Sequence, residues 1–108
     1  MSVERLDQLR AMQAEEPEDA FLRYAIALEL KRLGRMEEAI ADLEALLRDK
    51  PDHVASYYQL ATWLAELGRV SDAVETCNAG SLRALVQGER KARTELIALR
   101  DQLLDSEE

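Results

Sequence analysis

At 108 residues the chain is long enough for one hydrophobic core and too short for two. Its composition, 47% hydrophobic and 33% charged, suits a folded soluble protein better than a disordered one. A net charge of -8 and a pI near 4.7 exclude broad nucleic-acid binding, which needs surplus Lys and Arg, and disfavour adhesion to anionic membranes.

The apolar residues are mostly Leu and Ala, with two prolines and four glycines, a bias toward helices over strands. Val3, Leu6, Leu9 and Met12 predict a short, weakly periodic first helix before Pro17. The opening MSVERLDQLRAMQ has leucines between charges and no continuous apolar stretch, so neither a signal peptide nor a membrane span is expected there. Leu22, Ile26, Ala27, Leu30 and Leu33 then fall at spacings of three and four, and Gly34 ends that helix. Met36, Ala39, Ile40, Leu43, Leu46 and Leu47 repeat the spacing up to about Lys50, because Pro51 disfavours helical geometry before it.

From Asp52 the pattern restarts. Tyr57, Leu60, Ala61, Leu64 and Leu67 share a face, Gly68 ends the helix, and Val70, Ala73, Val74 and Cys77 begin the next. LGRMEEAIADL at Leu33 thus returns as LGRVSDAVETC at Leu67, thirty-four residues on. The same offset relates Pro17 to Pro51, Ala27 to Ala61, Leu30 to Leu64, Arg35 to Arg69 and Ala39 to Ala73. Ala92, Leu96, Leu99 and Leu103 predict a last helix after Gly88, with Asp105, Ser106, Glu107 and Glu108 as a fraying tail. The expectation is six helices and no strands.

A helix-turn-helix unit of this length, with W-x2-L-G-x2-Y, A-x3-F and P at fixed places, resembles the tetratricopeptide repeat. In the first copy Ile26 and Ala27 stand at the Leu-Gly pair, Leu30 at the Tyr site, Ala39 and Leu43 at the Ala and Phe sites, and Pro51 closes it. In the second, Tyr57 stands at the Trp site, followed by Leu60, Ala61, Leu64, Ala73 and Cys77. Small residues at Ala27, Ala39, Ala61 and Ala73 suit the closest approach of paired helices. Two positions depart from the pattern. Arg23 replaces a large aromatic, which predicts a partly open edge in the first hairpin. Leu85 replaces a closing proline, which predicts a helix running on to about Gln87.

The resemblance implies an all-α, right-handed superhelix of antiparallel helix hairpins. One domain would span 1–108: a half-repeat helix at 1–16, repeats at 17–50 and 51–87, a capping helix at 88–105 and a tail at 106–108. It also implies that the first helices line a concave groove, with Phe21, Tyr24, Leu28, Lys31, Tyr58, Thr62, Ala65 and Glu66 facing it. Some family members grip a partner's C-terminal carboxylate with Lys and Asn in the groove; Tyr24 and Leu28 occupy the first such pair here, so that activity is not expected.

Nothing else in the sequence calls for chemistry. His53 is the only histidine and reads as an exposed or capping turn residue, with Asp52 as the expected cap of the next helix. Cys77, the only cysteine, cannot form an internal disulfide, which points to a reducing cytoplasmic compartment; it reads as a small core hydrophobe. Glu37, Glu38 and Asp72 complement helix dipoles, and Arg90, Lys91 and Arg93, with Arg83 and Arg100 nearby, read as a solvated basic face beside Glu89 and Glu95. Gly80 marks either a close helix contact, the expected reason, or a break at Asn78-Ala79-Gly80-Ser81. Trp63, which replaces Glu29 of the first copy, is expected to be buried under the last helix, the alternative being a partner-facing anchor.

The reading is a non-enzymatic protein-interaction module that takes a peptide or a helix of a partner protein in its groove, with Tyr24 and Tyr58 as anchors. It needs no cofactor or metal, and no nucleic acid or membrane. The alternative is a self-associating structural subunit, with a homodimer through its exposed ends.

Overall fold

The computed structural model describes residues 3–106. Six helices run in chain order: α1 (Glu4–Glu15), α2 (Ala20–Arg32), α3 (Met36–Asp49), α4 (Val54–Glu66), α5 (Val70–Gln87) and α6 (Arg90–Ser106). Among the described residues there is no strand, as the Leu- and Ala-rich composition predicts. The last helix takes in Asp105 and Ser106, two residues assigned above to a fraying tail; Glu107 and Glu108 lie outside the described residues. The chain divides into two compact units, Met1–Lys50 and Pro51–Glu108.

In the first unit α2 packs on α3 and on α1. Its core is Leu6 and Leu9 of α1, Leu22, Ile26, Ala27 and Leu30 of α2, and Ala39, Ile40, Leu43 and Leu46 of α3. Val3 and Met12 share the predicted spacing of the first helix but stay exposed, so only its two leucines are buried. Asp19 caps α2, its Oδ1 accepting a hydrogen bond from the Leu22 amide at 3.1 Å.

In the second unit α5 packs on both α4 and α6, and α6 also touches α4. Asp52 does not cap α4, as the sequence had suggested. His53 holds the cap position without a capping side-chain bond, and its Nδ1 lies 2.7 Å from the buried Ser56 hydroxyl. Asp52 instead ties the turn to α5: its carboxylate accepts from Arg83 at 3.1 Å and its carbonyl from Gln87 Nε2 at 3.2 Å. Helix α5 is unbroken to Gln87, the length expected from the missing proline.

Gly80 sits in the middle of α5 because nothing larger fits. A Cβ there would lie 2.5 Å from Tyr57 Cβ, 2.7 Å from Tyr57 Cγ and 3.0 Å from Leu96 Cδ1, so the close-contact reading holds and the break does not. Tyr57 fills the core, 6% exposed, as the Trp-like residue of its copy, and its hydroxyl donates to the Pro51 carbonyl at 2.7 Å.

The doubled Leu-Gly-Arg phrase forms the same elbow in both units. Gly34 and Gly68 each have φ +79°, the left-handed conformation that glycine adopts without a Cβ clash. The Arg35 amide reaches the Leu30 carbonyl and the Arg69 amide the Leu64 carbonyl, both at 2.9 Å. The glycine amides reach Lys31 and Ala65 at 3.0 Å, so orphan carbonyls at both helix ends are satisfied alike. The arginine then pairs with an acid one turn into the next helix, Arg35 Nε with Glu38 at 2.5 Å and Arg69 Nε with Asp72 at 3.0 Å.

Candidate functional site

On α2 the residues expected to meet a partner are spaced three and four apart and none is buried: Phe21 is 71% exposed and Leu28 37%, with Tyr24 half-buried between them and Lys31 half-buried beyond Leu28. On α4 the matching row is Tyr58, 40% exposed, with Thr62 and Ala65 half-buried and Glu66 exposed. The Thr62 hydroxyl donates to the Tyr58 carbonyl at 2.8 Å. Each row is apolar in its first turns and charged at its end, with Lys31 on α2 and Glu66 on α4.

Trp63 does not belong to this surface. At 2% exposed it is a core residue, which settles the choice between burial and a partner-facing anchor. Its counterpart Glu29 is also inward, 4% exposed, a point that the polar identity of the residue concealed from a sequence reading. Arg32 holds the carboxylate with its Nε 3.0 Å from both oxygens, and Arg5 adds a longer pair at 3.8 Å. The hydrogen bond from Arg32 pulls the Glu29 pKa below the ordinary carboxylate value against the opposing pull of desolvation.

The departure at Arg23 does open the first hairpin. Arg23, Ile26, Arg10, Gln13, Asp42 and Ala45 line a surface hollow of about 280 Å³. The guanidinium, where an aromatic ring would otherwise fill the space, reaches Asp49 at 3.0 Å. Burial pushes the Asp42 carboxyl up and Arg10 draws it back. With two arginines against Asp42 and the paired Asp49, the hollow favours neither sign of ligand.

The residues with chemical potential are held in structural roles. Cys77 is buried, and desolvation pushes its thiol up to about 11, the opposite of an activated nucleophile. Burial pushes the His53 imidazole below its ordinary 6.5, and its Nδ1 lies against the Ser56 hydroxyl. Among the described residues no group of three His, Cys, Asp or Glu side chains could hold a metal ion, and no helix is long and apolar enough to cross a membrane.

The sequence pattern described as Tetratricopeptide repeat matches residues 30–92. A tetratricopeptide repeat domain protein from Salinibacter ruber, solved in solution, is 34% identical, covering 81% of this chain and 88% of that one with a TM-score of 0.78. The TPR2B domain of yeast Sti1, solved in complex with pHsp70, superposes with a TM-score of 0.84 at 24% identity, over 94% of this chain and 81% of that one. PcrH, solved with the chaperone-binding region of PopD, gives 0.77 at 15% identity, over 100% and 97%. No curated protein matches the sequence significantly. Six helices, an elbow repeated at one offset and small residues at the helix crossings agree with these likenesses, and the chain belongs to the tetratricopeptide repeat family.

Proposed function

We propose that the protein is a non-enzymatic interaction module whose first helices, α2 and α4, dock a peptide or a helix of a partner protein. The observation that carries this reading is the exposed apolar row on each: Phe21 and Leu28 on α2, Tyr58 on α4, in units whose other apolar rows on the same helices are buried. Uncovered aromatic and aliphatic groups at helical spacing are the anchors that a bound segment uses, and tyrosine adds a hydrogen-bonding tip to its apolar area. The complexes of the Sti1 domain with pHsp70 and of PcrH with PopD support a protein ligand as the class. A clamp for a terminal carboxylate finds no support, because Tyr24 and Leu28 stand where Lys and Asn would be needed.

The test is affinity capture from native lysate, mass spectrometry of the captured protein, and titration of that partner against Tyr24→Ala with Tyr58→Ala. Loss of roughly tenfold or more in affinity is expected, the scale of removing two anchors. Full retained affinity by the doubly substituted protein discards the first-helix surface.

A further inference from the structure

Helix α6 carries its charges against its own dipole. A helix is positive at its N-terminus and negative at its C-terminus, so acids stabilise the first turn and bases the last. Helices α1, α3 and α5 open with acids, and α2 and α3 end with bases. Helix α6 does the reverse: Arg90, Lys91 and Arg93 crowd its start and Asp101 and Asp105 its end, with no acid in the first turn and no base in the last. Arg90 and Arg93 stand three residues apart and Asp101 and Asp105 four, so like charges also face each other along the helix surface. Glu89 just before the helix and Glu95 one turn in offset part of the basic charge, and Arg100 pairs with Asp101 at 3.0 Å.

Docking has to supply what the helix lacks on its own, and the docked surface is narrow. Of the 17 residues of α6 only Leu96 is fully buried, with Ala92, Ile97, Leu99 and Leu103 half-buried beside it. Its far end is tied to α5 at the surface, where Arg100 Nη1 donates to Asn78 Oδ1 at 3.1 Å. Its near end joins α5 through Gly88, at φ +72° with open space where a Cβ would stand. Helix α5 meanwhile keeps ties to α4 that do not pass through α6. Gly80 lies against Tyr57, and Arg83 and Gln87 hold Asp52 in the turn before α4. An element charged against its dipole and held by one fully buried leucine belongs to the low end of a protein's local stabilities.

Beside the Asn78 tie lies Cys77, on the buried face of α5. Arg100 of α6 is close enough to draw its thiol pKa back against the larger effect of burial. We infer that α6 is a lid: it undocks from α4 and α5 in one piece by turning about Gly88 and Glu89, those two helices stay folded, and the undocking opens Cys77 to solvent.

Two readouts on the full chain test the lid. In hydrogen exchange followed by mass spectrometry, the amides of α6 should open about tenfold or more as often as those of the α4 core. Iodoacetamide under native conditions should alkylate Cys77 in step with α6 exchange and ahead of α4 exchange. Arg90→Glu with Asp105→Lys turns both like-charge pairs into opposite-charge pairs and aligns both ends with the dipole. That variant should slow α6 exchange and Cys77 alkylation together, by about fivefold or more. Leu96→Ala should speed both by about tenfold or more while the α4 amides remain the slower set. A common exchange rate for α6 and α4 would overturn the inference, because α6 would then open only when the whole unit unfolds. So would a charge variant whose α6 exchange is unchanged, or alkylation of Cys77 that follows the α4 amides.

Discussion

The two hairpins close alike at their elbows and differently in their interiors. In the first unit the positions of Arg23 and Asp49 form an ion pair at 3.0 Å beside an open hollow. Thirty-four residues on, the same positions hold Tyr57 and Arg83: the ring is buried against Gly80, and the guanidinium turns to Asp52 at 3.1 Å. Glu29, clasped by Arg32, corresponds to Trp63, and Leu46 corresponds to Gly80. The second unit gains one large ring and gives up a leucine side chain to admit another. Backbone geometry at the elbow tolerates either interior because its hydrogen bonds are made by main-chain atoms; the interior is where each copy is individual.

That contrast predicts unequal sensitivity. Removing residues 90–108 should do the most damage, because α6 covers α5 and α4 and buries Leu96. A fall in the melting midpoint of roughly 10 °C or more is expected by circular dichroism, and an unchanged melt would show that α6 caps nothing. Next comes Trp63→Ala, with a cost of about 3–5 kcal/mol in urea unfolding. Glu29→Ala at the matching position should cost clearly less, because its main partner Arg32 is about half exposed and keeps its hydration when released. Equal losses would mean that the two positions do the same job after all.

Gly80→Ala sharpens the comparison from the other side. Alanine favours the helix by about 1 kcal/mol over glycine, yet a methyl group 2.5 Å from Tyr57 Cβ must push the tyrosine, so a net loss of about 1–3 kcal/mol is expected. A gain in stability would show that α4 and α5 separate more easily than the contact suggests. The smallest effect is electrostatic. His53 is held below its ordinary pKa by burial, so the unfolded chain binds more protons in the window just below 6.5. Stability should fall as pH drops from 6.5 toward the folded-state value and level off below it. His53→Asn should flatten that part of the profile, and a slope that survives the substitution would place its origin elsewhere.

Much of this architecture was legible in the sequence because it rests on period and punctuation. Leucines and alanines at three and four, Gly34 and Gly68 after the last apolar residue, and Pro51 after a helix all act locally. The inward tyrosine at Tyr57, the buried Cys77 and the extended α5 follow from the same register. Other features depend on partners that no local signal names. Burial of Glu29 depends on Arg32 and Arg5, and the position looks polar until they are in place. Asp52 carries the side chain of a cap, but the turn places it one residue early and hands it to Arg83, while the cap of α2 falls to Asp19. The exposed apolar residues of α5 escaped notice for a different reason. Leu82, Leu85 and Val86 continue the apolar count of their helix, and only the fold reveals that they lie on the far side from Ala84.

Gly34 and Gly68 carry a final consequence. A Cβ at either would meet no atom within 4 Å, so room is not what reserves these sites for glycine. The constraint is the sign of φ alone, as it also is at Gly88, so at these elbows handedness, and not size, decides what fits. A residue of mirror-image configuration, harmful along every helix of the chain, should sit in these elbows without strain. It would also narrow the unfolded ensemble, so a semisynthetic protein with D-alanine at one elbow should be more stable than the natural one, and one with L-alanine less.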